Sequence, residues 1–371
     1  MRANSTSDWV AHWYHFPISS AAALEQMHSK QIDQYLLQEK ILRDKIMLEP
    51  RVLVLGSGDS GKTTLMKQLK ILHAGGYCDQ ERQSYNEKIC DNIVDSMLAI
   101  LALLHIKNIS VKNITTKTNI DLLRNYFQTS PEEVLQKPLT ADIAQIIQKL
   151  WADEDIKGAF YSTTTIQDTA PYFLADPVKF TSLSYKPTDT DILNTRLPTI
   201  QVSESIIKLE KNTVHFFDVG GQQKYRKQWI PYFDDVHNIV FVVSISSYDQ
   251  QLQENSTINR MHDALDLFGN ICNAPLLKHT SMTLMLNKSD IFATKIAKSP
   301  INKYFPDYKG GNDIKKGYRY FEKKFILQNQ QDNKRISTHI TCCTDTKAMD
   351  VIISTVLTTM LSQMLHSSGF I

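Results

Sequence analysis

A glycine-rich loop, GSGDSGKT at residues 56–63, strongly limits the folds that this chain can adopt. It matches the pattern GxxxxGK[ST], follows the apolar run Arg51–Leu55 and precedes a helical pattern at residues 64–72. A loop between a buried strand and a helix presents backbone N–H groups and a helix N-terminus to a phosphate. The sequence therefore predicts a phosphate site, in which Lys62 neutralises the β- and γ-phosphates and Thr63 offers its hydroxyl to Mg²⁺. A glycine-rich turn that binds nothing is the alternative.

The alternation of strands and helices beyond this loop predicts the fold class. Candidate strands recur, with helical patterns between several of them, at residues 202–209, 214–218, 239–244, 283–286 and 337–341. This order predicts an α/β fold, in which helices cover both faces of a mostly parallel sheet. Long helical patterns with few strand candidates occupy residues 75–189 and predict an inserted all-helical domain.

The same patterns predict three parts of the chain. Residues 1–49 would form a flexible lead and an amphipathic helix. The sheet domain would comprise residues 50–72 and 195–371 and would end in a helix at 348–365, and residues 73–194 would form the inserted helical domain.

Composition excludes several classes of protein. The chain has 371 residues, 42% of them apolar, and a net charge of +2, so we expect a packed core and no binding of nucleic acid. The longest apolar run, residues 97–104, is far shorter than the roughly 20 residues of a membrane span. The five cysteines form no CxxC pair, so we expect no disulfide and a reducing compartment. We expect Cys342 and Cys343 to be small buried residues in a strand.

A polar segment, NKSD at residues 287–290, follows the candidate strand 283–286. It therefore lies at the carboxyl end of that strand, where α/β sheets bind ligands. The carboxylate of Asp290 can accept hydrogen bonds from the ring N–H and the exocyclic amine of guanine, whereas adenine offers neither in that arrangement. Alone, such a tetrapeptide indicates only a polar loop, but after a complete phosphate loop it predicts a guanine site.

A second motif, DVGGQ at residues 218–222, closes another candidate strand. Asp218 can hold Mg²⁺ through water, and Gly221 can bring its N–H to the γ-phosphate. Gln222 can orient an attacking water, which needs a donor and an acceptor in one neutral side chain. A simple turn that closes a strand would explain the glycines but not the glutamine.

These motifs occur in the order and with the spacing of heterotrimeric G-protein α subunits, a family that the chain resembles from about Ser29 to its C-terminus. Further matches are RLPT at 196–199, Trp229, NRMH at 259–262, FPDY at 305–308 and TCCTDTK at 341–347. The resemblance implies a Ras-like P-loop GTPase fold with an inserted helical domain. It also implies a switch between a membrane receptor and effectors, which binds GTP or GDP with Mg²⁺ and slowly hydrolyses GTP.

The resemblance implies catalytic and metal-binding roles at matching positions. Arg196 resembles the internal arginine that stabilises the charge that builds on the γ-phosphate, and Gln222 would be its catalytic partner. Thr199 resembles a second hydroxyl ligand of Mg²⁺, beside Thr63 and the water-mediated Asp218.

Further nucleotide contacts are implied in the same way. Asp168 and Thr169 resemble residues that reach the nucleotide from the helical insertion, and the backbone N–H of Cys343 occupies the position that contacts the guanine oxygen. The residues expected to bind GTP are Gly56, Ser57, Gly58, Asp59, Ser60, Gly61, Lys62, Thr63, Thr64, Asp168, Thr169, Leu193, Asn194, Thr195, Arg196, Thr199, Asp218, Gly220, Gly221, Gln222, Asn287, Lys288, Asp290 and Cys343.

The resemblance also implies partners. These are a βγ dimer, a G-protein-coupled receptor that contacts the C-terminal helix, an effector and an RGS-type regulator. Arg2 stands where N-myristoylation needs glycine, and no cysteine precedes Cys78, so we expect neither N-terminal lipid. We therefore expect a cytoplasmic protein that reaches the cytoplasmic face of a membrane through its partners.

Several positions depart from the usual pattern of the family. Asp59 stands where relatives commonly have Glu, and this shorter acid predicts a weaker pairing with Arg196 and faster release of GDP. After Thr199, Ile200 and Gln201 replace the usual Thr-Gly. The loss of this glycine removes backbone freedom from the segment around Thr199, which is the first switch of the family. Arg226 of the second switch is retained and can pair with Asp263.

Three functions remain open from the sequence. The first is a signalling GTPase, which the presence of both Arg196 and Gln222 favours because a protein that only binds nucleotide needs neither. The second is a nucleotide-dependent scaffold with little or no hydrolysis. The third is a P-loop phosphotransferase, against which NKSD and DVGGQ both argue.

Overall fold

The computed structural model of the protein describes residues 32–37, 49–127, 139–161, 163, 166–182, 184–199, 201–209, 212–234, 236–252 and 255–367. Within residues 1–49, residues 32–37 are helical and exposed. The rest of the predicted N-terminal helix, the lead, Arg2, Ile200 and the extreme C-terminus lie outside these ranges. Residues 50–371 form a separate compact unit.

A six-stranded sheet organises this unit. Its strands are β1 (Arg51–Leu55), β2 (Ser203–Leu209), β3 (Asn212–Asp218), β4 (Asn238–Ser244), β5 (Ser281–Asn287) and β6 (Ile336–Ile340). They lie in the order β2-β3-β1-β4-β5-β6, and only β2 runs antiparallel to its neighbour. The strand order reverses at β1, which makes the carboxyl end of β1 the place where an α/β sheet binds its ligand. The predicted fold class and strands are confirmed.

Helices cover both faces of the sheet because its strands are apolar on both sides. Leu53 and Leu55 of β1 belong to one core, and Val52 and Val54 to the other. The first core is closed by α8 (Arg260–Cys272), α9 (Ser289–Lys295) and α10 (Ile314–Ile326), and the second by α1 (Lys62–His73) and α11 (Thr346–Ser367).

The segment between α1 and β2 is helical, as predicted. Its helices are α2 (Asp79–Ile106), α3 (Ile114–Phe127), α4 (Ala141–Ala152), α5 (Glu154–Tyr161), α6 (Ala170–Leu174) and α7 (Asp189–Asn194). They enclose a core of their own, centred on Ile93, Met97 and Ile147. In the part of the chain that the structure describes, only α2 is long and apolar enough to cross a membrane. Its apolar side is buried in this core, as expected of a core helix.

One local prediction is wrong. Cys342 and Cys343 do not lie in a strand, because β6 pairs with β5 only as far as Ile340. Both residues belong to the loop that follows, where Cys343 is buried and Cys342 partly exposed.

Candidate functional site

The phosphate loop is tightly packed at the carboxyl ends of the strands. Gly56 and Gly61 have φ angles of 145° and 105°, which residues with a Cβ rarely adopt. A Cβ at Gly56 would overlap the carbonyl oxygen of Val242, and one at Gly61 would overlap the side-chain amide of Asn287. The glycines of the motif are therefore required by the backbone and by its neighbours on β4 and β5.

Lys62 is buried beneath this loop at the start of α1. Its Nζ donates to the carbonyl oxygens of Gly56 at 3.0 Å and Ser57 at 2.9 Å. Burial lowers the pKa of Lys62 to about 8, although Asp218 and Asp59 favour its charged form. A phosphate at this loop would add negative charge and stabilise the protonated amine further.

Three hard oxygen donors meet beside the loop. The hydroxyl of Thr63 lies 2.7 Å from that of Thr199 and donates to Oδ2 of Asp218 at 3.1 Å. Oδ1 of Asp218 is buried and has no hydrogen-bond partner among the residues that the structure describes. Burial raises the pKa of Asp218, and the nearby Lys62 opposes this. Hydroxyl and carboxylate oxygens are donors that Mg²⁺ prefers, so these residues fit it.

Asp59 stands among three cations. Its carboxylate oxygens lie 3.7 Å from Nε of Arg196, 3.8 Å from a terminal nitrogen of Arg260 and 3.6 Å from Nζ of Lys288. Burial alone would raise the pKa of Asp59, but the three positive charges outweigh it and lower the pKa to about 2. Each distance exceeds that of a good hydrogen bond, so this short acid makes loose contacts on all sides.

Asn287 and Lys288 hold together the part of the site that lies near Asp168 and Asp290. Asn287 donates to the carbonyl of Ser60 at 2.9 Å, which connects the loop after β5 to the phosphate loop. Lys288 donates to Asp168 at 2.8 Å, and the pKa of Lys288 is raised because Asp168 and Asp59 outweigh the effect of burial. Asp290 is exposed at the start of α9. The ion pair between Lys288 and Asp168 brings the helical segment to the sheet.

The backbone N–H of Cys343, which the family resemblance assigns to the guanine oxygen, donates to Oδ1 of Asn287 at 3.0 Å. The loop after β6 turns toward the Asn287 amide, which also accepts from the hydroxyl of Thr341 at 3.2 Å.

The DVGGQ segment is fixed from behind by the helical turns that follow it. The indole of Trp229 donates to the carbonyl of Gly220 at 3.0 Å. Arg226 forms a two-pronged ion pair with Asp263, with N–O distances of 3.1 and 2.5 Å. This confirms the pairing proposed from the sequence. Gln222 faces the phosphate loop, since a Cβ at Gly58 would lie 3.5 Å from its Cγ.

Most of the predicted site residues line two neighbouring cavities. The first has a volume of about 370 Å³ and lies over the phosphate loop, and the second, of about 180 Å³, lies between Asp168 and Asp290. Both are lined in part by Asp59 and Arg196. The predicted residues that line neither cavity are Gly56, Ser57, Asp218 and Gly220. Gly56 and Ser57 accept hydrogen bonds from Lys62, Asp218 accepts one from Thr63, and Gly220 directly precedes Gly221, so all four adjoin residues that line the first cavity.

Two residues of the site, Arg260 and Lys67, were not predicted from the sequence. Arg260 is buried and donates to the carbonyl of Gly58 at 2.6 Å and to Gln250 at 2.7 Å. Lys67 is buried and lines the first cavity. The helical spacing of Lys67 from Thr63, one turn earlier, could have indicated that both face the same side of α1.

Comparison with known proteins gives consistent matches. A family model described as "G-protein alpha subunit" matches residues 26–360. A guanine nucleotide-binding protein subunit alpha of Coprinellus congregatus is 38% identical over 340 residues, which are 90% of this chain and 95% of that relative. One of Emericella nidulans is 36% identical over 339 residues, with 90% and 95% covered. The G-protein complex alpha subunit gpaA of Aspergillus fumigatus is also 36% identical over 339 residues, with the same coverage.

Proposed function

Because this chain belongs to the G-protein α-subunit family, we propose that its two cavities hold one guanine nucleotide, with the phosphates over residues 56–63 and the base beside Asp290. Members of this family are GTPases, and the fold described here is that of a Ras-like GTPase with a helical segment. We divide the chain accordingly into a GTPase domain of residues 50–72 and 195–371 and a helical domain of residues 73–194.

The phosphate end would be held by main-chain N–H groups and by metal. Lys62 would exchange the carbonyls of its own loop for the β- and γ-phosphates. Thr63, Thr199 and, through water, Asp218 would hold Mg²⁺, which supplies positive charge to the phosphates when bound. The N–H of Gly221 would donate to the γ-phosphate.

The base end would select guanine over adenine. The carboxylate of Asp290 would accept from the ring N–H and the amine of guanine, and adenine would leave that charge unpaired. Asp168 and Thr169 would close the site from the helical side, together with residues 193–195.

Hydrolysis would depend on Arg196 and Gln222. Gln222 would orient the attacking water, and Arg196 would stabilise the charge that builds on the γ-phosphate and the leaving oxygen. Departure of the γ-phosphate would release Thr199 and relax the two switch segments, which is how a nucleotide-dependent switch changes its surface.

The observation that carries the proposal is the meeting of Thr63, Thr199 and Asp218. Thr199 is 136 residues and Asp218 is 155 residues beyond Thr63 in the chain. A side-chain oxygen of each nevertheless lies within 3.1 Å of the hydroxyl oxygen of Thr63. They come from the phosphate loop, the first switch and the end of β3, which are the three segments that a GTPase must couple to one phosphate and one cation.

We also propose the partners of the family for this chain. It would pair with a βγ dimer and would carry a signal from a receptor, which contacts the last helix, to an effector, with an RGS-type regulator that shortens the signal. These partners would hold it at the cytoplasmic face of a membrane. Binding of the purified chain to a βγ dimer in GDP and its release in GTP would support the pairing.

Single-turnover hydrolysis of preloaded GTP tests the proposal. Arg196→Cys and Gln222→Leu should retain binding and lose hydrolysis. Loss of the arginine should cost about 1,000-fold in rate, which is the general magnitude for GTPases that use an arginine in this way. Arg124→Cys, on the exposed side of α3, should hydrolyse GTP like wild type. Equal rates in all four proteins would favour a scaffold that binds GTP without hydrolysing it.

A further inference from the structure

The backbone around Arg196 has no regular structure to fix it. Residues 195–199, which follow α7, belong to neither a helix nor a strand, and the side chain of Arg196 is 37% exposed. Its contact with Asp59 is long, at 3.7 Å. An arginine that acts on a phosphate must be aligned before the reaction, so other groups have to hold this segment.

Asn92 of α2 holds the peptide groups of Arg196 at both ends. Oδ1 of Asn92 accepts from the backbone N–H of Arg196 at 2.6 Å, and Nδ2 of Asn92 donates to the carbonyl of Arg196 at 3.2 Å. The two residues are 104 positions apart. One side-chain amide therefore fixes both backbone groups of Arg196, much as a neighbouring strand would do.

Asn92 is itself held in place within the helical core. The side chains of Ile89 and Ile93, on the same helix, are fully buried. Gln167 donates to the carbonyl of Asn92 at 3.1 Å and to the hydroxyl of Ser96 at 2.6 Å. This network is continuous with the base side of the site, because Gln167 directly precedes Asp168.

Lys67 holds the same segment from the side of the phosphate loop. Its Nζ donates to the carbonyl of Ile192 at 2.8 Å and to that of Thr195 at 2.6 Å. The chain that leads into Arg196 is therefore attached to α1 just before this residue and to α2 at this residue.

We propose that Asn92 is a positioning residue for GTP hydrolysis, which fixes the backbone of Arg196 so that the guanidinium reaches the γ-phosphate only while the helical segment is seated against the sheet. This role depends on the function of Arg196 proposed above. Asn92 lines neither cavity, so it acts through Arg196 and not on the nucleotide.

Single-turnover hydrolysis in Asn92→Ala, measured per mole of bound GTP, tests this role. The rate should fall about 10- to 100-fold, since small misalignments of a catalytic group have costs of this size. The affinity for GTP should change by less than about threefold, because the alignment of Arg196 stabilises the transition state and not bound GTP. Asn86→Ala is the matched control, since Asn86 lies on the same helix and donates at 3.0 Å to Tyr185 and not to Arg196.

A second variant separates hydrogen bonding from packing. Asn92→Asp keeps the shape of the side chain but replaces the donor toward the Arg196 carbonyl with an acceptor. It should therefore also slow hydrolysis. A rate equal to that of wild type in this folded, GTP-binding variant would contradict the positioning role.

The double variant Asn92→Ala/Arg196→Cys gives the sharpest result. If Asn92 acts through Arg196, adding Asn92→Ala to Arg196→Cys should cause no further loss of rate. An equal loss in both backgrounds would overturn the inference. If Arg196→Cys slows hydrolysis but Asn92→Ala does not, the inference is wrong and the proposed function stands. If the wild-type protein does not hydrolyse GTP, both are wrong.

Discussion

The two sides of the nucleotide site are built in different ways. On the sheet side, residues 56–63, 218–222 and 287–290 follow the ends of β1, β3 and β5, so the register of the strands places them. On the helical side, Arg196 and Asp168 lie on short irregular segments that distant side chains hold. Backbone geometry therefore fixes the sheet side, whereas a few hydrogen bonds fix the helical side. Variants of the first should therefore change affinity, and variants of the second should change alignment.

The largest effect on affinity is expected at Lys62. Lys62→Gln removes the cation from the centre of the phosphate loop, and contacts between charged groups in buried sites each contribute about 1.5–3 kcal/mol. With two phosphates affected, the affinity for GTP should fall about 1,000-fold in a fluorescence titration. Lys70→Gln, on the same helix but paired with Glu81, should bind like wild type. If both variants lose GTP affinity to a similar extent, Lys62 has no special role in binding the phosphates.

A smaller loss with a change in base preference is expected at Asp290. Asp290→Asn loses one acceptor and presents an N–H to the amine of guanine, so GTP affinity should fall about 100-fold. Xanthosine triphosphate, which has an oxygen in place of that amine, should gain affinity relative to GTP. Competition titrations measure both, with Asp313→Asn at the start of α10 as the control. If Asp290→Asn does not change the preference for GTP over xanthosine triphosphate, the base does not bind beside Asp290.

Where α1 contacts the segment before Arg196, Lys67 predicts a pH-dependent stability. Burial lowers the pKa of Lys67 to about 7 from an ordinary value of 10.5. Between about pH 7 and pH 10.5, Lys67 binds a proton in the unfolded chain but not in the folded chain. The free energy of unfolding therefore rises with pH over this range. Relative to Lys67→Met, wild type should gain up to about 1.4 kcal/mol per pH unit above about pH 7 in urea unfolding.

The control for this prediction is Lys70→Met, which removes a partly exposed lysine one turn further along α1. Its unfolding free energy should parallel that of wild type over the same range of pH. Parallel curves for wild type and Lys67→Met would show that Lys67 stays protonated in the folded protein.

The smallest effect is expected at Asp59, where the two sides meet. Its carboxylate is 3.7 Å from Nε of Arg196, and one more methylene in Asp59→Glu would allow a hydrogen-bonded pair. A partly exposed pair contributes about 0.2–1 kcal/mol, so release of GDP should slow by roughly two- to fivefold. Stopped-flow displacement of a fluorescent GDP measures this rate. An unchanged or faster release would show that Asp59 does not connect the two sides.

Most of the fold could be predicted from the sequence. The strands are short apolar runs bounded by turn residues, and helical patterns between them indicate crossovers, so the parallel sheet and its helices were predictable. The motifs of the sheet side were predictable for the same reason, since each is contiguous and follows a strand. Cys342 and Cys343 were misplaced because an apolar run does not reveal where pairing with the neighbouring strand stops.

The helical side was less predictable. Arg196 and Asp168 were identified only through the family resemblance, because an isolated arginine or aspartate has no periodic signal. Asn92 and Gln167 were not identified at all, since their importance comes from contacts with residues far along the chain. The charge cluster at Asp59 was foreseen for Arg196 but not for Arg260 and Lys288, for the same reason.

Isothermal titration calorimetry of the full chain, freed of bound nucleotide, with GTP in magnesium buffer tests whether the two cavities form one guanine-nucleotide site. A single guanine nucleotide that spans both sides of the site predicts one binding event per chain, with no measurable heat when ATP replaces GTP. The absence of heat with GTP, or equal heats with both nucleotides, would show that the chain has no such site.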